Sequence, residues 1–197
     1  MTYKGQPVAV YALPRGGVLL GVEIARALDA PLDLIVVRKI GHPYSPEYAI
    51  GAVAEDGFVI MNPEEAATLD QAWTSRAAAA ELKEAQRRRE LFMGGRRAVP
   101  ANDKIAIIVD DGLATGLTMQ AAIHEIRKRS PRQIVVAVPV AARTTVEKLR
   151  PEVDELVVLY IPRGFFGAIG AFYESFAQIS DEEVVALLNS TTQVSSE

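Results

Sequence analysis

The sequence predicts an α/β protein built on a five-stranded parallel sheet, and three observations predict it. Five short runs rich in Val, Ile and Leu recur along the chain, their apolar stretches show no in-out alternation, and helical periodicities separate most of them. Strands that helices cover on both faces read as near-continuous apolar runs. Alternation of strand and helix then defines the α/β class.

The runs are Val8 to Leu13 (VAVYAL), Leu32 to Arg38 (LDLIVVR), Ile105 to Val109 (IAIIV), Ile134 to Pro139 (IVVAVP) and Leu156 to Tyr160 (LVVLY). Between the first two, Gly17 to Leu28 carries Val18, Val22 and Ala25 on one stripe, with Glu23 and Arg26 opposite. Thr118 to Arg129 repeats the pattern with Ala122, Ile123 and Ile126. The second and third runs are about 65 residues apart, too long for a plain crossover by the usual loop lengths. The segment at about 41–97 is therefore expected to be an inserted hairpin-plus-helix lid. AIGAVAEDGFVIM reads as a hairpin turning at Asp56-Gly57, and Asn62-Pro63-Glu64-Glu65 as a helix start, with a helix from about Pro63 to Phe92 that allows a break. Near the end, Ser180 and Glu183 hold capping-box positions before Val184, Leu187 and Leu188. That helix closes a C-terminal hood at about 161–190, with a polar frayed end from Ser190 onward. One domain over 1–197 accommodates all of this.

Composition excludes several function classes. The chain has 197 residues, 21 Lys and Arg, 25 Asp and Glu, a formal net charge of −4, two His and no Cys. A net negative charge gives no overall pull toward nucleic acid or an anionic membrane, so any anion site must be local. Without cysteine there is no thiol nucleophile, zinc-thiolate site or disulfide. No stretch approaches the roughly 20 apolar residues of a membrane span, and the N-terminal MTYKGQPVAVYAL lacks a leader pattern, so a soluble cytoplasmic protein is expected.

The chemistry concentrates in IAIIVDDGLATGLTMQ, Ile105 to Gln120. After a buried strand, Gly112 and Gly116 permit tight turns, Thr115 and Thr118 supply hydroxyls, and a helix begins. Its free N–H groups and positive dipole end suit a phosphate. Neither a Walker ending nor G-x-G-x-x-G occurs there. Asp110 and Asp111 would repel a phosphate unless something rich in donors lay between. A ribose fits, its 2- and 3-hydroxyls donating to the acids while its 5-phosphate sits in the loop. Capping of the helix by Asp111 would explain one acid, but not two acids and two threonines.

IIVDDGLATGLT resembles the phosphoribosyl-pyrophosphate motif of the type I phosphoribosyltransferase family. The resemblance implies that Asp110 and Asp111 bind the ribose hydroxyls and that Gly112, Leu113, Ala114, Thr115, Gly116, Leu117 and Thr118 bind the 5-phosphate. Hypoxanthine and guanine enzymes of the family usually carry an aspartate just before the Thr-Gly, where this chain has Ala114. The first run ends in ALPRGGVLLG, and Pro14, Arg15, Gly16 and Gly17 are similar to the pyrophosphate loop of xanthine phosphoribosyltransferases; family members often hold a strained or cis peptide there. Arg38-Lys39 is similar to the pair that orotate and adenine enzymes place before a mobile loop, here Gly41 to Gly51, with His42, Tyr44 and Glu47 as loop candidates for substrate contact. In VDELVVLYIPRGFFGAIGAFYESF, Phe165 or Phe166 matches the aromatic that stacks on the base in hypoxanthine enzymes; tail packing is the alternative reading. A nearer likeness is to poorly characterised predicted phosphoribosyltransferases with tails similar to FYESFAQISDEEV.

A strand order of 2-1-3-4-5 would bring the loops after Leu13 and Val109 together at the topological switch point, where ligands of open α/β sheets bind. What the resemblance implies is transfer of a phosphoribosyl group from phosphoribosyl pyrophosphate to a nitrogenous base, releasing pyrophosphate. Arg15, Lys39, Asp110 and Asp111 would be the catalytic residues, Pro14, Gly16, Gly17, Arg38 and the 112–118 loop the substrate contacts, and Mg2+ the cofactor. The metal would arrive mainly with the substrate, with Asp110 and Asp111 as further ligands. Partners would be phosphoribosyl pyrophosphate and a nucleobase-like acceptor, and dimers are common among similar proteins. A non-catalytic sensor of phosphoribosyl pyrophosphate or a nucleotide is the rival. A phosphate-ester hydrolase has no evident nucleophile or metal cluster. The basic run Arg87-Arg88-Arg89, with Arg96 and Arg97, is interleaved with Glu81, Glu84 and Glu90 and reads as a solvated helix face or lid edge rather than a nucleic-acid surface. His124, one turn into its helix, reads as a partly exposed structural residue.

Overall fold

The computed structural model describes residues 3–165 and 168–192, the side chains of 191 and 192 excepted. Five strands, β1 (Val8–Ala12), β2 (Leu32–Leu34), β6 (Ile105–Val109), β7 (Gln133–Val140) and β8 (Glu155–Tyr160), form a parallel sheet ordered β2-β1-β6-β7-β8. Counted along the core strands alone, this is the expected 2-1-3-4-5. Every residue of β1 and β6 is buried. Their side chains alternate between two faces. Ala9, Tyr11, Ala106 and Ile108 pack with Met119, Ala122 and Ile123 of α4 (Leu117–Lys128) and Val146 of α5 (Arg143–Leu149), whereas Val8, Val10, Ile105 and Ile107 pack with Ala25 of α1 (Gly16–Leu28). Burial on both faces explains why these strands carry no polar alternation. Among the described residues no helix is long and apolar enough to cross a membrane.

The second apolar run is not one strand. Its ladder with β1 ends at the Ala12–Leu34 pair. From Val37 the chain enters a separate three-stranded antiparallel sheet of β3 (Val37–His42), β4 (Ser45–Ala54) and β5 (Val59–Met61). Periodicity could not reveal the switch, because Ile35 and Val36 stay buried through it. Arg38 and Lys39 consequently lie in β3 rather than at the end of a core strand. The expected loop at 41–51 is the β3–β4 hairpin, and the second hairpin turns at Asp56-Gly57, where Gly57 takes φ 91° and the Asp56 carboxylate accepts from the Phe58 N–H. The helix expected from Pro63 is broken into α2 (Pro63–Ala66) and α3 (Gln71–Met93), each with its own side-chain cap, Asn62 and Asp70. Ser180 and Glu183 form the reciprocal capping box of α6 (Asp181–Thr192), which runs two residues past Ser190.

A buried ion cluster bolts the insertion to the core. Asp33 of β2, fully buried, accepts from Arg89 of α3 at 2.7 Å and from the Val99 N–H at 2.8 Å. Arg89 also faces Glu55 at 3.5 Å, and Arg129, just past α4, faces Glu55 and Asp33 at 3.9 Å while bonding Glu125. Of the basic run, Arg87 and Arg88 both pair with Glu84, Arg89 turns inward, and Arg96 reaches the Leu188 carbonyl of α6. The inward turn of Arg89 departs from a purely solvated face, because Asp33 and Glu55 need a cation in the interior. His124 is half-buried and stacks on Phe58, ring centroids 3.5 Å apart.

Glu125 is only 3% exposed, and burial, reinforced by Glu55 and Asp56 and opposed by Arg129, pushes its carboxyl up to about 7. A carboxyl raised in the folded state binds more protons there than when unfolded, so between about pH 4.5 and 7 it makes stability fall as pH rises. Glu125→Gln is expected to flatten that slope, measured as urea midpoints across the window; an unchanged slope would exclude Glu125 as its source.

Candidate functional site

A cleft of about 1890 Å³ opens above the carboxyl ends of β1 and β6. On one side Leu13, Pro14, Arg15 and Gly16 lead into α1, and the Pro14–Arg15 peptide is cis. The two glycines serve close approach. A Cβ on Gly16 would lie 1.9 Å from Asp111 Oδ2, and one on Gly17 would lie 2.7 Å from the Val109 carbonyl. Gly17 departs from expectation: it does not line the cleft, and its N–H is spent on the Leu13 carbonyl at 3.1 Å. It packs the helix start against β6 instead. Arg15 faces Asp181 of α6 at 3.7 Å.

Asp110 and Asp111 line the floor of the cleft, both half-buried, with the Asp110 carboxylate accepting from the Asp111 N–H at 2.9 Å. Burial raises both carboxyls above the ordinary range, Asp110 further because Asp111 repels its charge, while Lys39 pulls both down. Such a pair gains from any ligand that offers donors or positive charge. The Tyr173 hydroxyl donates to the Asp111 carbonyl at 2.6 Å and fixes the backbone behind the acid.

Beyond the acids, Gly112 to Thr118 all line the cleft. Leu113 anchors the loop: it is 1% exposed, its N–H bonds the Val140 carbonyl, and its carbonyl takes the Ala142 N–H. Ala114 offers its carbonyl to the Thr145 hydroxyl. Gly116 caps α4 at φ 81° without a side-chain bond, and the first backbone bond inside the helix is Gln120 N–H to the Gly116 carbonyl. The N–H groups before Gln120 are the orphans of a helix start. A contrast runs through the fold. The starts of α1, α4 and α5, at the cleft, have no side-chain cap, whereas α3 and α6 are capped by Asp70 and Ser180, and the short α2, whose start also reaches the cleft, is capped by Asn62. Side chains that would compete with an anion are missing at the three starts that follow core strands β1, β6 and β7.

The insertion supplies the opposite wall. Arg38 and Lys39 line the cleft from β3, with Arg38 held by Glu81 of α3 at 2.9 Å. His42 and Glu47 line it as well, but Tyr44, 90% exposed, does not. Phe165 reaches the cleft with its ring stacked on Phe172, centroids 5.4 Å apart. Phe166 lies outside the described residues. The sequence reading missed Arg143 and Lys148 of α5 and Arg163 after β8, three exposed cations that also line the cleft. The uncapped start at Ala142-Arg143, straight after a core strand, is the signal that would have found the first. Among the described residues no group of three or more His, Asp or Glu could hold a metal on its own.

The fold and this cleft define a phosphoribosyltransferase-type α/β domain. The chain belongs to the phosphoribosyl transferase domain family, whose family model matches residues 1–165. Two Mycobacterium tuberculosis proteins, from strains CDC 1551 and H37Rv, both named "Putative phosphoribosyl transferase", are 44% identical to it over 188 residues, 94% of this chain. The chain spans 42% of the length of each. The crystal structure of TT1426 from Thermus thermophilus matches with a TM-score of 0.74 at 40% identity, covering 93% of this chain and 88% of that one.

Gly16→Ala tests the close approach directly. The new Cβ displaces a flexible carboxylate end rather than backbone, so the fold should survive while Asp111 moves. The expected result is a thermal midpoint close to wild type with about tenfold or greater loss of phosphoribosyl pyrophosphate affinity by calorimetry, the scale of one lost charge-assisted hydrogen bond.

Proposed function

We propose that this domain transfers a phosphoribosyl group from phosphoribosyl pyrophosphate to a nitrogenous acceptor and releases pyrophosphate. The observation that carries the reading is two acids flanked by two uncapped helix starts: Asp110 and Asp111 lie between the N-termini of α1 and α4. A ribose with phosphates at both ends matches that spacing of charge. Its hydroxyls would donate to the acids, its 5-phosphate would take the orphan N–H groups of the 114–118 segment, and its pyrophosphate would meet Arg15, Gly16 and, across the cleft, Lys39.

As the bond from C1 to the pyrophosphate oxygen breaks, positive charge grows on the sugar and negative charge on the leaving group. The ionised acids hold the ribose at the developing cation, while Arg15, Lys39 and the loop N–H groups receive the departing charge. Positioning and preorganised charge do the work, and no covalent step on the protein is needed. The residues present fit a divalent cation: Asp110 and Asp111 are two hard oxygen donors whose ionisation burial opposes, and with no third acid grouped with them among the described residues such an ion would take its other ligands from pyrophosphate and water. Mg2+, when bound, would neutralise pyrophosphate charge.

The experiment is pyrophosphate release from phosphoribosyl pyrophosphate with Mg2+ against a panel of purine and pyrimidine bases and a base-free control. Base-dependent release is expected, and no release from protein that still binds the compound would favour a sensor. Asp111→Asn should weaken phosphoribosyl pyrophosphate binding by about 10- to 150-fold, as loss of charge-assisted hydrogen bonds worth ~1.5–3 kcal/mol implies. Unchanged affinity would remove Asp111 from the ribose site.

A further inference from the structure

A second cavity, of about 870 Å³, meets the cleft at the pyrophosphate loop. It lies between α1 and α6 beneath the segment from Tyr173 to Ile179. Its walls are Leu19 and Leu20 of α1, Ala186 and Leu187 of α6, and Phe176 and Ile179 between them. Leu19 is 47% exposed and Phe176 45%, so this apolar surface faces open space rather than core. The size falls within the ~300–1,000 Å³ of small-molecule sites. Arg15, Gly16 and Asp111 line both cavities, and the Tyr173 hydroxyl on the Asp111 carbonyl stands at the junction, its ring 5.1 Å from that of Phe176.

The two compartments differ in chemistry. The cleft is lined by six cations, from Arg15 to Arg163, set against five acids that include the Asp110-Asp111 pair and the Arg38 partner Glu81, mixed charge that suits a phosphorylated sugar. The second cavity has Arg15, Asp111 and Glu183 as its charged lining; Glu183 caps α6, the Tyr173 and Ser190 hydroxyls donate to the Asp111 and Leu187 carbonyls, and Ser175 and Gln178 are the other polar side chains on an otherwise apolar wall. A transfer between a polyanionic donor and a second substrate needs two adjoining compartments that meet at the reacting carbon. We infer that the cavity between α1 and α6 is the acceptor compartment, and that it takes a planar, largely apolar nitrogen heterocycle rather than a base read by several hydrogen bonds.

This rests on the proposed phosphoribosyl transfer and adds the acceptor's class and place. The acceptor's ring nitrogen would donate its lone pair to C1 while the C1–O bond breaks and its electron pair leaves with pyrophosphate. With Asp111 holding the ribose, one oxygen of Glu183 engaged in the α6 cap and alanine at position 114, the lining offers no carboxylate dedicated to taking a proton from the acceptor. A nitrogen whose lone pair is already exposed suits that lining, the ring N–H proton of the product cation passing to water.

The test uses benzimidazole as the apolar probe and hypoxanthine as the polar comparator, titrated by calorimetry into the full chain. Ala186 and Leu19 are exposed helix positions, so Ala186→Trp, with Leu19→Trp as a second variant, fills the cavity without disturbing the core. Benzimidazole is expected to bind wild type more tightly than hypoxanthine does and to lose at least about tenfold in the filled variants. It should also accelerate pyrophosphate release from phosphoribosyl pyrophosphate and Mg2+ in wild type but not in those variants, with phosphoribosyl pyrophosphate affinity unchanged. Absence of benzimidazole binding, equal binding in the filled variants, loss in Phe165→Ala instead, or binding without acceleration would each overturn the assignment. Failure of wild type to bind phosphoribosyl pyrophosphate would be read separately, in its own titration, and would count against the transferase reading itself.

Discussion

At the carboxyl end of β6 there is no room for a methyl group where α1 begins. Gly16 would place its Cβ against the Asp111 carboxylate, and Gly17 against the Val109 carbonyl. That steric limit fixes how far the first helix start lies from the acids, and the site depends on that distance. A larger residue at Gly17 would meet the β6 backbone and push α1 away from it, whereas one at Gly16 would displace the Asp111 side chain.

The remaining parts hold this geometry from outside. Leu113 ties the 112–118 loop to β7 through the Val140 and Ala142 backbone, and Thr145 braces Ala114. The Asp33–Arg89–Glu55–Arg129 cluster joins β2, α3, the end of β4 and the end of α4, so the insertion bearing Lys39 is fastened to the same sheet that carries the acids. Buried ion pairs contribute little net stability, but leaving one charge unpartnered in the interior costs several kcal/mol, which favours this single docking of the insertion. Arg15 and Asp181 extend the linkage to the C-terminal helix.

Local chemistry was legible in the sequence and long-range geometry was not. Fully buried strands announced themselves at Val8 to Leu13 and Ile105 to Val109, and the capping box at Ser180 and Glu183 was visible from spacing alone. The two acids and the glycine-threonine loop were visible locally, because a strand end, two adjacent acids and an uncapped helix start follow one another in the chain and line one cleft. By contrast, Leu32 to Arg38 reads as one strand because Ile35 and Val36 are apolar whether or not they pair, and only the β4 partner turns the chain into a second sheet. Arg89 could not be separated from Arg87 and Arg88, because its inward turn answers Asp33, which is 56 residues away. Arg143, Lys148 and Arg163 were missed for a related reason: single exposed cations acquire a role only when the fold aims them at one cleft.

The central claim is that one cleft binds a ribose by its hydroxyls and by phosphates at both ends. A crystal structure of the chain with phosphoribosyl pyrophosphate and Mg2+ tests it most directly. The account predicts ribose hydroxyls within hydrogen-bond distance of Asp110 and Asp111, the 5-phosphate on the N–H groups of Ala114 to Thr118, and pyrophosphate between Arg15 and Lys39. A 5-phosphate bound away from the α4 start, or a ribose turned from the two acids, would contradict it.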